Sequence, residues 1–320
     1  MSGRLMGGLT PLVWMLLVWT FHGYWRPVFW CFGGLGVCWC LVFTLWFKNR
    51  PEEKAAVNAA ELALIRGGDG GAPLVHGKVP WRMIFASRNL WLLCVMYACQ
   101  SYGWYFNVFY LPRYMEIRYQ VVSPIDVSSH GLHWESVCAA LYKGGPLWLG
   151  ALGCLLGGIL TDAFIRRTGN RKLGRRIFGI IGHSLSTVCF LLCPLAVNAF
   201  WFFVVISLSS FTSDMTMGSS WASCQDIGRR YTAIVAGTMN MIGNLGGAAA
   251  GLVTGLLIEL SQDAYASTLG IVRDQRTAAQ AKAGSLWGYN LSFLLFAAVY
   301  LVAVGCWTRL DATQPVTPDA

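Results

Sequence analysis

The sequence is short of charge, since only 12% of its 320 residues are Asp, Glu, Lys or Arg. A water-soluble domain carries about 25%, so the composition argues against a soluble globular protein. The eleven cysteines include no Cys-x-x-Cys pair, and this disfavours a disulfide framework or a metal site. The apolar stretch 1–21 lacks a small-residue cleavage site, and this argues against a removable signal peptide. What is abundant is apolar: 55% of the residues are hydrophobic and the mean hydropathy is +0.50, which indicates lipid as the solvent.

The apolar residues are grouped in segments long enough to cross a bilayer. A hydrocarbon core of about 30 Å requires about 20 residues of helix. The segments that meet this requirement are roughly 5–21, 27–47, 88–111, 138–161, 177–197, 200–222, 231–260 and 284–308. We therefore predict an all-α polytopic membrane protein with about eight transmembrane helices.

A polar stretch divides these segments into two before it and six after it. Its "NAAELALI" predicts a short helix capped by an asparagine, and its "GGDGGAP" is typical of a flexible linker. The predicted units are two transmembrane helices in 1–47, a cytoplasmic linker in 48–87, a six-helix transmembrane half in 88–310, and a cytoplasmic tail in 311–320.

The positive charges predict the orientation of the chain. One orientation places 17 of the 24 Lys and Arg residues on the cytoplasmic side. In this orientation the cytoplasmic segments are the N-terminus, the 48–88 linker, the 163–176 loop, the arginines of 228–230 and the C-terminus. Cytoplasmic loops are enriched in these residues, so both termini are predicted to be cytoplasmic. Because the net charge of +9 lies in short runs between apolar segments, it does not form the basic face that nucleic-acid binding needs.

One basic loop also contains a carboxylate. Asp162 ends the fourth segment, and six basic residues follow it: Arg166, Arg167, Arg171, Lys172, Arg175 and Arg176. The cations alone are explained by attraction to anionic lipid. A carboxylate at the end of a span is costly unless it is paired, and the preceding Gly157 and Gly158 allow close approach of another helix. Asp162 therefore favours a second role for this loop.

The pattern of glycine, aliphatic residue, aspartate and basic loop resembles the signature loop of the major facilitator superfamily. Four further stretches are similar to its anion:cation symporter branch, which includes hexuronate, glucarate and galactonate carriers. They are "YGWYFNVFYLPRYM" (102–115), "GGPLWLGALGCLLGGILTD" (144–162), "DMTMGSSWASCQDIGRR" (214–230) and "GTMNMIGNLGGAAAG" (237–251). The resemblance implies a cytoplasmic gating latch formed by Gly158, Asp162, Arg166, Arg167, Arg175 and Arg176.

The candidate substrate-binding residues are polar groups within the predicted spans. On the third span they are Tyr102, Tyr105 and Asn107, while Tyr110 and Trp104 fit an interfacial aromatic belt. On the seventh span they are Asn240 and Asn244, which need partners that either a neighbouring helix or a polar substrate could provide. Asp214 lies well inside the sixth span and is the candidate for coupling or conformational change, the alternative being a structural hydrogen bond.

Three other features have packing or surface interpretations. Gly243, Gly247, Gly251 and Gly255 recur at every fourth position and predict a smooth helix-packing stripe. Lys143 is predicted to extend to the membrane interface, with attraction of an anion as the alternative. The sequence "HGLHWE", with His130, His133 and Glu135, is interpreted as a polar loop rather than a metal site.

The resemblance implies a secondary transporter that moves a sugar acid or similar carboxylate with H⁺ or Na⁺ by alternating access. It predicts no enzyme activity, cofactor or metal, location in the cell (inner) membrane, and a monomer if the chain is full length. A carrier of this superfamily has twelve spans. The resemblance implies that the first two spans here match its fifth and sixth, that the last six match its second half, and that its first four have no counterpart in this sequence. We expect an internal start at Met1; a truncated gene and a missing half from another chain are the alternatives. The other functional hypothesis is a non-transporting fragment or pseudo-carrier that acts as an interaction subunit.

Overall fold

The computed structural model describes residues 2–66, 79–121, 134–271 and 275–317. Within these ranges the chain forms α-helices, short 3₁₀ turns and no strand. The helices are α1 (Ser2–Thr20), α2 (Arg26–Trp46), α3 (Ala59–Arg66), α4 (Trp81–Ala86), α5 (Arg88–Phe109), α6 (Leu111–Tyr119), α7 (Trp134–Thr168), α8 (Arg171–Leu192), α9 (Ala199–Met215), α10 (Met217–Gly228), α11 (Thr232–Thr268) and α12 (Ala278–Arg309). The glycine-rich stretch 67–73 and the histidines His130 and His133 lie outside the described residues.

The prediction of a polytopic all-α membrane protein is confirmed. Five continuous helical stretches of the described chain are long and apolar enough to cross a membrane, and one of them, 199–268, contains α9, α10 and α11. Together with α1 and α5 they correspond to the eight predicted segments. The sixth segment differs in shape, because Thr216 separates α9 from α10 where one continuous helix was predicted.

Local sequence determines where several helices begin. The side chain of Asn58 accepts a hydrogen bond from the Glu61 amide at 2.8 Å, so the predicted short helix in the polar stretch is present as α3. Asn170 caps α8 and Asn198 caps α9 in the same way. Thr277 forms a reciprocal capping box at the start of α12.

Six transmembrane units pack as a bundle formed by α5, α7, α8, α9–α10, α11 and α12, and α1 lies against α7. One apolar core lies between α5, α10, α11 and α12, and a second, rich in aromatic rings, lies between α5, α6, α9 and α12. Helix α2 makes few contacts with α1. The structure describes every residue of α2, and among them Val28 alone is buried. Nearly all of the apolar surface of α2 is therefore exposed.

Glycines allow the closest helix contacts. A Cβ atom at Gly153 or Gly157 of α7 would lie 2.1 Å from the Phe211 carbonyl oxygen or 2.0 Å from that of Met215, so the backbones of α7 and α9 touch. The predicted stripe on α11 faces α5, where Gly243 and Gly247 lie against tyrosine rings. These positions provide smooth surfaces, as expected for small residues in membrane helices.

Buried hydroxyl groups line the contacts of α9 and α10 with their neighbours. Ser186 of α8 donates to the Gly182 carbonyl of its own helix at 2.9 Å and lies 2.7 Å from the Thr212 hydroxyl. Thr161 of α7 likewise donates to the Gly157 carbonyl at 2.6 Å and lies 3.2 Å from the Ser219 hydroxyl. Each interhelical contact is thus made by a hydroxyl that also bonds within its own helix.

The segment after α12 is attached to the end of the bundle that the charge distribution predicts to be cytoplasmic. Asn89 and Asp311 exchange hydrogen bonds through the Asn89 amide and the Asp311 backbone at 3.0 and 3.1 Å. The Asp311 carboxylate pairs with the Lys172 ammonium at 2.5 Å. Partial burial acts to raise the pKa of Asp311, but hydrogen bonds from Lys172 and Thr313 outweigh it and lower this pKa from 3.8 to about 2.

This lowered pKa predicts how acid affects the attachment. The ionised carboxylate contributes stability that is complete above the ordinary pKa of 3.8 and is lost as the pH falls through about 2. We expect Asp311→Asn to melt below the wild type at pH 6, and the difference to disappear by about pH 2. Thermal unfolding of detergent-solubilised protein across this range measures the effect. A difference that stays constant with pH would contradict the assignment.

Candidate functional site

A buried ion pair joins the first helix of the chain to the middle of the bundle. The guanidinium of Arg4 donates from Nε to Asp214 Oδ2 at 2.7 Å and from Nη2 to Asp214 Oδ1 at 3.0 Å. The Asp214 side chain is 1% exposed and that of Arg4 is 17% exposed. Two parallel charge-assisted hydrogen bonds of this kind fix the geometry of a carboxylate as well as its charge.

The sequence builds this pair through glycines on two helices. A Cβ at Gly144 of α7 would lie 2.2 Å from the Gly8 carbonyl oxygen, so α1 and α7 are in backbone contact one turn from Arg4. Further along α7, a Cβ at Gly150 would lie 2.4 Å from Asp214 Oδ2. The absence of a side chain at Gly150 therefore provides the space that the carboxylate occupies.

A polar cavity of about 180 Å³ opens beside Arg4. Its walls come from α1, α5, α10 and α11 and consist of Arg4, Tyr97, Gln100, Ser101, Trp104, Tyr105, Met217, Asn240 and Asn244. The Arg4 guanidinium carbon lies 4.1 Å from the centroid of the Trp104 ring, which is a cation–π contact. The Tyr105 hydroxyl donates to Asn244 Oδ1 at 3.0 Å, and the Asn244 amide donates to the Asn240 carbonyl at 2.9 Å.

The structure brings three of the five predicted substrate-binding residues to this cavity, namely Tyr105, Asn240 and Asn244. It places Tyr102 elsewhere, because successive residues of an α-helix point about 100° apart. The Tyr102 ring packs on Phe296 of α12 with 5.6 Å between centroids, and its buried hydroxyl has no hydrogen-bond partner among the described residues. Asn107 donates to the Ser210 hydroxyl at 3.1 Å and borders a different cavity.

Sequence reasoning missed Arg4 and Trp104 as members of the site. The charge pattern places Arg4 among the cytoplasmic cations, yet its guanidinium pairs with Asp214, whose carboxylate lies against Gly150 midway along α7. Trp104 had been assigned to an interfacial belt, yet it lies beneath the Arg4 guanidinium. An arginine one helical turn before a Gly-Gly pair in an apolar segment is the available signal.

Gln100 is a third residue that the sequence did not single out. Its amide nitrogen donates to the Ser213 carbonyl at 3.2 Å, and its oxygen accepts from the Thr216 hydroxyl at 3.2 Å. Both partners lie at the boundary between α9 and α10, within three residues of Asp214. Gln100 therefore ties α5 to the interruption that positions the carboxylate.

The predicted gating loop forms ion pairs between three helices. Arg175 of α8 lies 3.5 Å from Asp162 of α7 and 3.3 Å from Asp226 of α10, a residue that the sequence had not singled out. Arg176 donates to the Leu310 carbonyl at 2.6 Å, and Gly158 lies against Gly218 of α10. Arg166 and Arg167 are exposed on the last turn of α7.

The interpretation of Lys143 as an interfacial lysine is wrong. The residue is 6% exposed, and its ammonium lies 3.5 Å from Glu116 Oε1 of α6. The carboxylate of Glu116 compensates the buried positive charge of Lys143. This ion pair replaces the contact with water that the membrane interface would provide. Within the described ranges no cluster of three His, Cys, Asp or Glu side chains is arranged to hold a metal ion.

The bundle, the intramembrane ion pair and the polar cavity between its helices define a polytopic membrane protein with the architecture of a carrier. The chain belongs to the Major Facilitator Superfamily, whose family model matches residues 1–251.

Known proteins of similar sequence are named as transporters. A probable sulfoacetate transporter, SauU of Cupriavidus necator, is 30% identical over 260 residues, which are 80% of this chain and 56% of the relative. A probable L-galactonate transporter of Escherichia coli is 25% identical over 239 residues, covering 73% of this chain and 49% of the relative. The chain thus spans about half the length of these relatives.

The fold is also similar to a solved structure. A bacterial homolog of the human lysosomal transporter Spinster, in an inward-facing and occupied conformation, superposes with a TM-score of 0.59 at 16% identity. The match covers 95% of this chain and 66% of that one. This likeness confirms the fold.

Proposed function

We propose that this protein transports a small organic anion and that Arg4 binds the anionic group. The observation that carries the proposal is the Arg4 guanidinium at the edge of a polar cavity, where it holds a carboxylate in a bidentate pair. The same geometry would accept the carboxylate of a substrate. The names of the relatives, a sulfoacetate and an L-galactonate transporter, agree with an anionic cargo.

Asp214 is the internal competitor of the substrate in this proposal. Its carboxylate pairs with the Arg4 guanidinium when no anion is bound. A substrate anion that binds Arg4 instead leaves the Asp214 carboxylate buried without an ion-pair partner. A buried carboxylate without a partner is costly and favours uptake of a cation. Binding H⁺ or Na⁺ at Asp214 would therefore accompany binding of the anion, and this links the two movements. Among the described residues, the charged or titratable groups around Asp214 are Arg4 of α1, Tyr97 of α5 and Tyr300 of α12.

Alternating access requires contacts that open and close at the ends of the helices. The pairs that Arg175 makes with Asp162 and Asp226 join α7, α8 and α10 at one end of the bundle. In the proposed cycle these pairs stabilise the conformation in which that end is closed, and opening of that end breaks them.

Uptake by the full chain in liposomes tests the proposal. With labelled galactonate, glucarate, sulfoacetate and phenylacetate, we expect an inward pH or Na⁺ gradient to drive accumulation of at least one of them. Asp214→Asn should abolish the response to the gradient, whereas Asp263→Asn, which alters the Asp263–Arg276 pair at the far end of α11, should retain it.

Two outcomes would contradict this proposal. The absence of uptake for every anion under both gradients would reject transport by this chain. If a stoichiometric membrane partner then copurifies with it, the alternative role of an interaction subunit is favoured. Equal responses to the gradient in the wild type and Asp214→Asn would reject Asp214 as the coupling residue.

A further inference from the structure

A second, larger cavity lies on the other side of Trp104. Its volume is about 430 Å³, and this open cavity is lined by α1, α5, the first turn of α6, and α7. Its walls are mainly apolar and include Pro11, Trp14, Val108, Pro112 and Leu147. Of the site residues predicted from the sequence, Asn107 alone lines this cavity.

We propose that this cavity holds the apolar body of the transported anion, so that the substrate is an amphipathic carboxylate rather than a polyhydroxy sugar acid. The inference rests on the proposed function, because it takes Arg4 as the group that binds the carboxylate. It adds the chemical class of the remainder of the molecule.

The two cavities meet at shared residues. Trp104 lines both the polar cavity and the apolar one, and a third cavity, bordered by Gly3, Arg4 and Trp104, shares residues with each of them. A carboxylate bound to Arg4 is therefore next to the indole that separates the cavities, and the rest of the molecule can extend along that indole. Flat or branched apolar groups gain the most from such a wall, since each square ångström of buried apolar surface contributes about 25 cal/mol.

The wall of the apolar cavity offers few hydrogen bonds. The indole N–H groups of Trp14 and Trp104 and the side-chain oxygen of Asn107 are buried and have no partner among the described residues. Asn107 is 7% exposed, and Lys143 lies beside it with its charge compensated by Glu116. Of these three groups only the Asn107 oxygen is an acceptor, so they can receive the hydrogen of one ligand hydroxyl.

A sugar acid carries more hydroxyl groups than this wall can satisfy. Each hydroxyl that loses its water without gaining a partner costs about 1–3 kcal/mol. An aryl or alkyl carboxylate has no such cost and fills the apolar space. Selection between the two classes follows from this difference rather than from Arg4, which binds both carboxylates alike.

Binding to the purified full chain in nanodiscs tests the inference with three labelled probes of similar size. They are phenylacetate, its neutral analogue phenylacetamide, and the polyhydroxy acid erythronate. We expect phenylacetate to bind at least about tenfold more tightly than either of the others, a difference that corresponds to about 1.4 kcal/mol.

Two matched variants locate the binding. Val108→Trp places an indole in the cavity from α5, and Val95→Trp makes the same change on the same helix at an exposed position that does not line it. Val108→Trp should weaken phenylacetate at least about tenfold and leave erythronate unchanged, and Val95→Trp should leave both unchanged. If Val108→Trp does not fold, the comparison of the three probes on the wild type decides alone.

The outcomes separate this inference from the proposed function. Tighter binding of erythronate than of phenylacetate overturns the inference and leaves anion transport intact. Equal binding of phenylacetamide and phenylacetate shows an apolar site independent of Arg4, and also overturns it. A lipid that copurifies with the wild type and is lost in Val108→Trp would identify a lipid acyl chain as the occupant instead. Failure of every anion to bind overturns both proposals.

Discussion

Replacing Arg4 with glutamine will abolish anion binding and lower the stability of the protein more than any other single charge change described above. The substitution removes the positive charge that the proposed substrate needs. It also leaves the Asp214 carboxylate, which is 1% exposed, without its ion-pair partner. Breaking a buried pair from one side costs about 3–5 kcal/mol. Thermal unfolding in detergent measures the loss of stability, and equilibrium binding of a labelled anion measures the loss of affinity.

A double variant separates the two effects. Arg4→Gln with Asp214→Asn removes both charges together, so most of the stability should return while anion binding stays lost. Arg276→Gln is the matched single control, because the Asp263 side chain is 37% exposed and its carboxylate keeps contact with water. That control should cost at most about 1 kcal/mol. If the double variant is no more stable than Arg4→Gln, the loss does not originate in the ion pair.

Adding one methyl group at Gly157 will disrupt the contact of α7 with α9. The new Cβ would lie 2.0 Å from the Met215 carbonyl oxygen, and this oxygen belongs to a backbone that cannot rotate away. Overpacking of a close contact typically costs 1–3 kcal/mol, and here the two helices must separate to relieve it. We expect Gly157→Ala to lower the unfolding temperature and to reduce any transport, since Met215 follows Asp214 directly.

The neighbouring glycine provides the control. A Cβ at Gly158 has no atom within 4 Å, so Gly158→Ala makes the same chemical change without a clash. It should be at least as stable as the wild type, because alanine favours the helix over glycine by about 1 kcal/mol. Equal destabilisation by both variants would reject the proposed backbone contact, because helix propensity and unfolded-state entropy both favour alanine over glycine.

Features that depend on local composition could be predicted from the sequence. The spans follow from the length and hydropathy of each segment, and the helix start at Asn58 follows from its capping side chain. The glycine stripe on α11 follows from the four-residue spacing, although the sequence alone could not show that Tyr97 and Tyr105 of α5 lie against it.

The centre of the site could not be predicted in the same way. Arg4 and Asp214 are 210 positions apart, and no periodicity relates two residues on helices that meet only in the folded bundle. For the same reason a lone lysine such as Lys143 appears interfacial until Glu116 is found beside it. The interruption between α9 and α10 depends on Gln100 from a third helix as well as on its own sequence.

The hydroxyl groups that line α9 and α10 have a consequence for motion. Ser186 and Thr161 can each donate their single hydrogen to a carbonyl of their own helix, and Thr212, whose hydrogen can bridge to Ser186, has the Leu208 carbonyl at 2.9 Å as an alternative acceptor. When a helix shifts, only the bond between helices is exchanged, and no buried polar group loses its last partner. Interhelical hydrogen bonds in membranes contribute about 0.6 kcal/mol on average, so each step meets a small barrier. The glycine backbone of α7 faces α9 across this contact. The interface therefore resists separation of the two helices but offers little resistance to their sliding past each other.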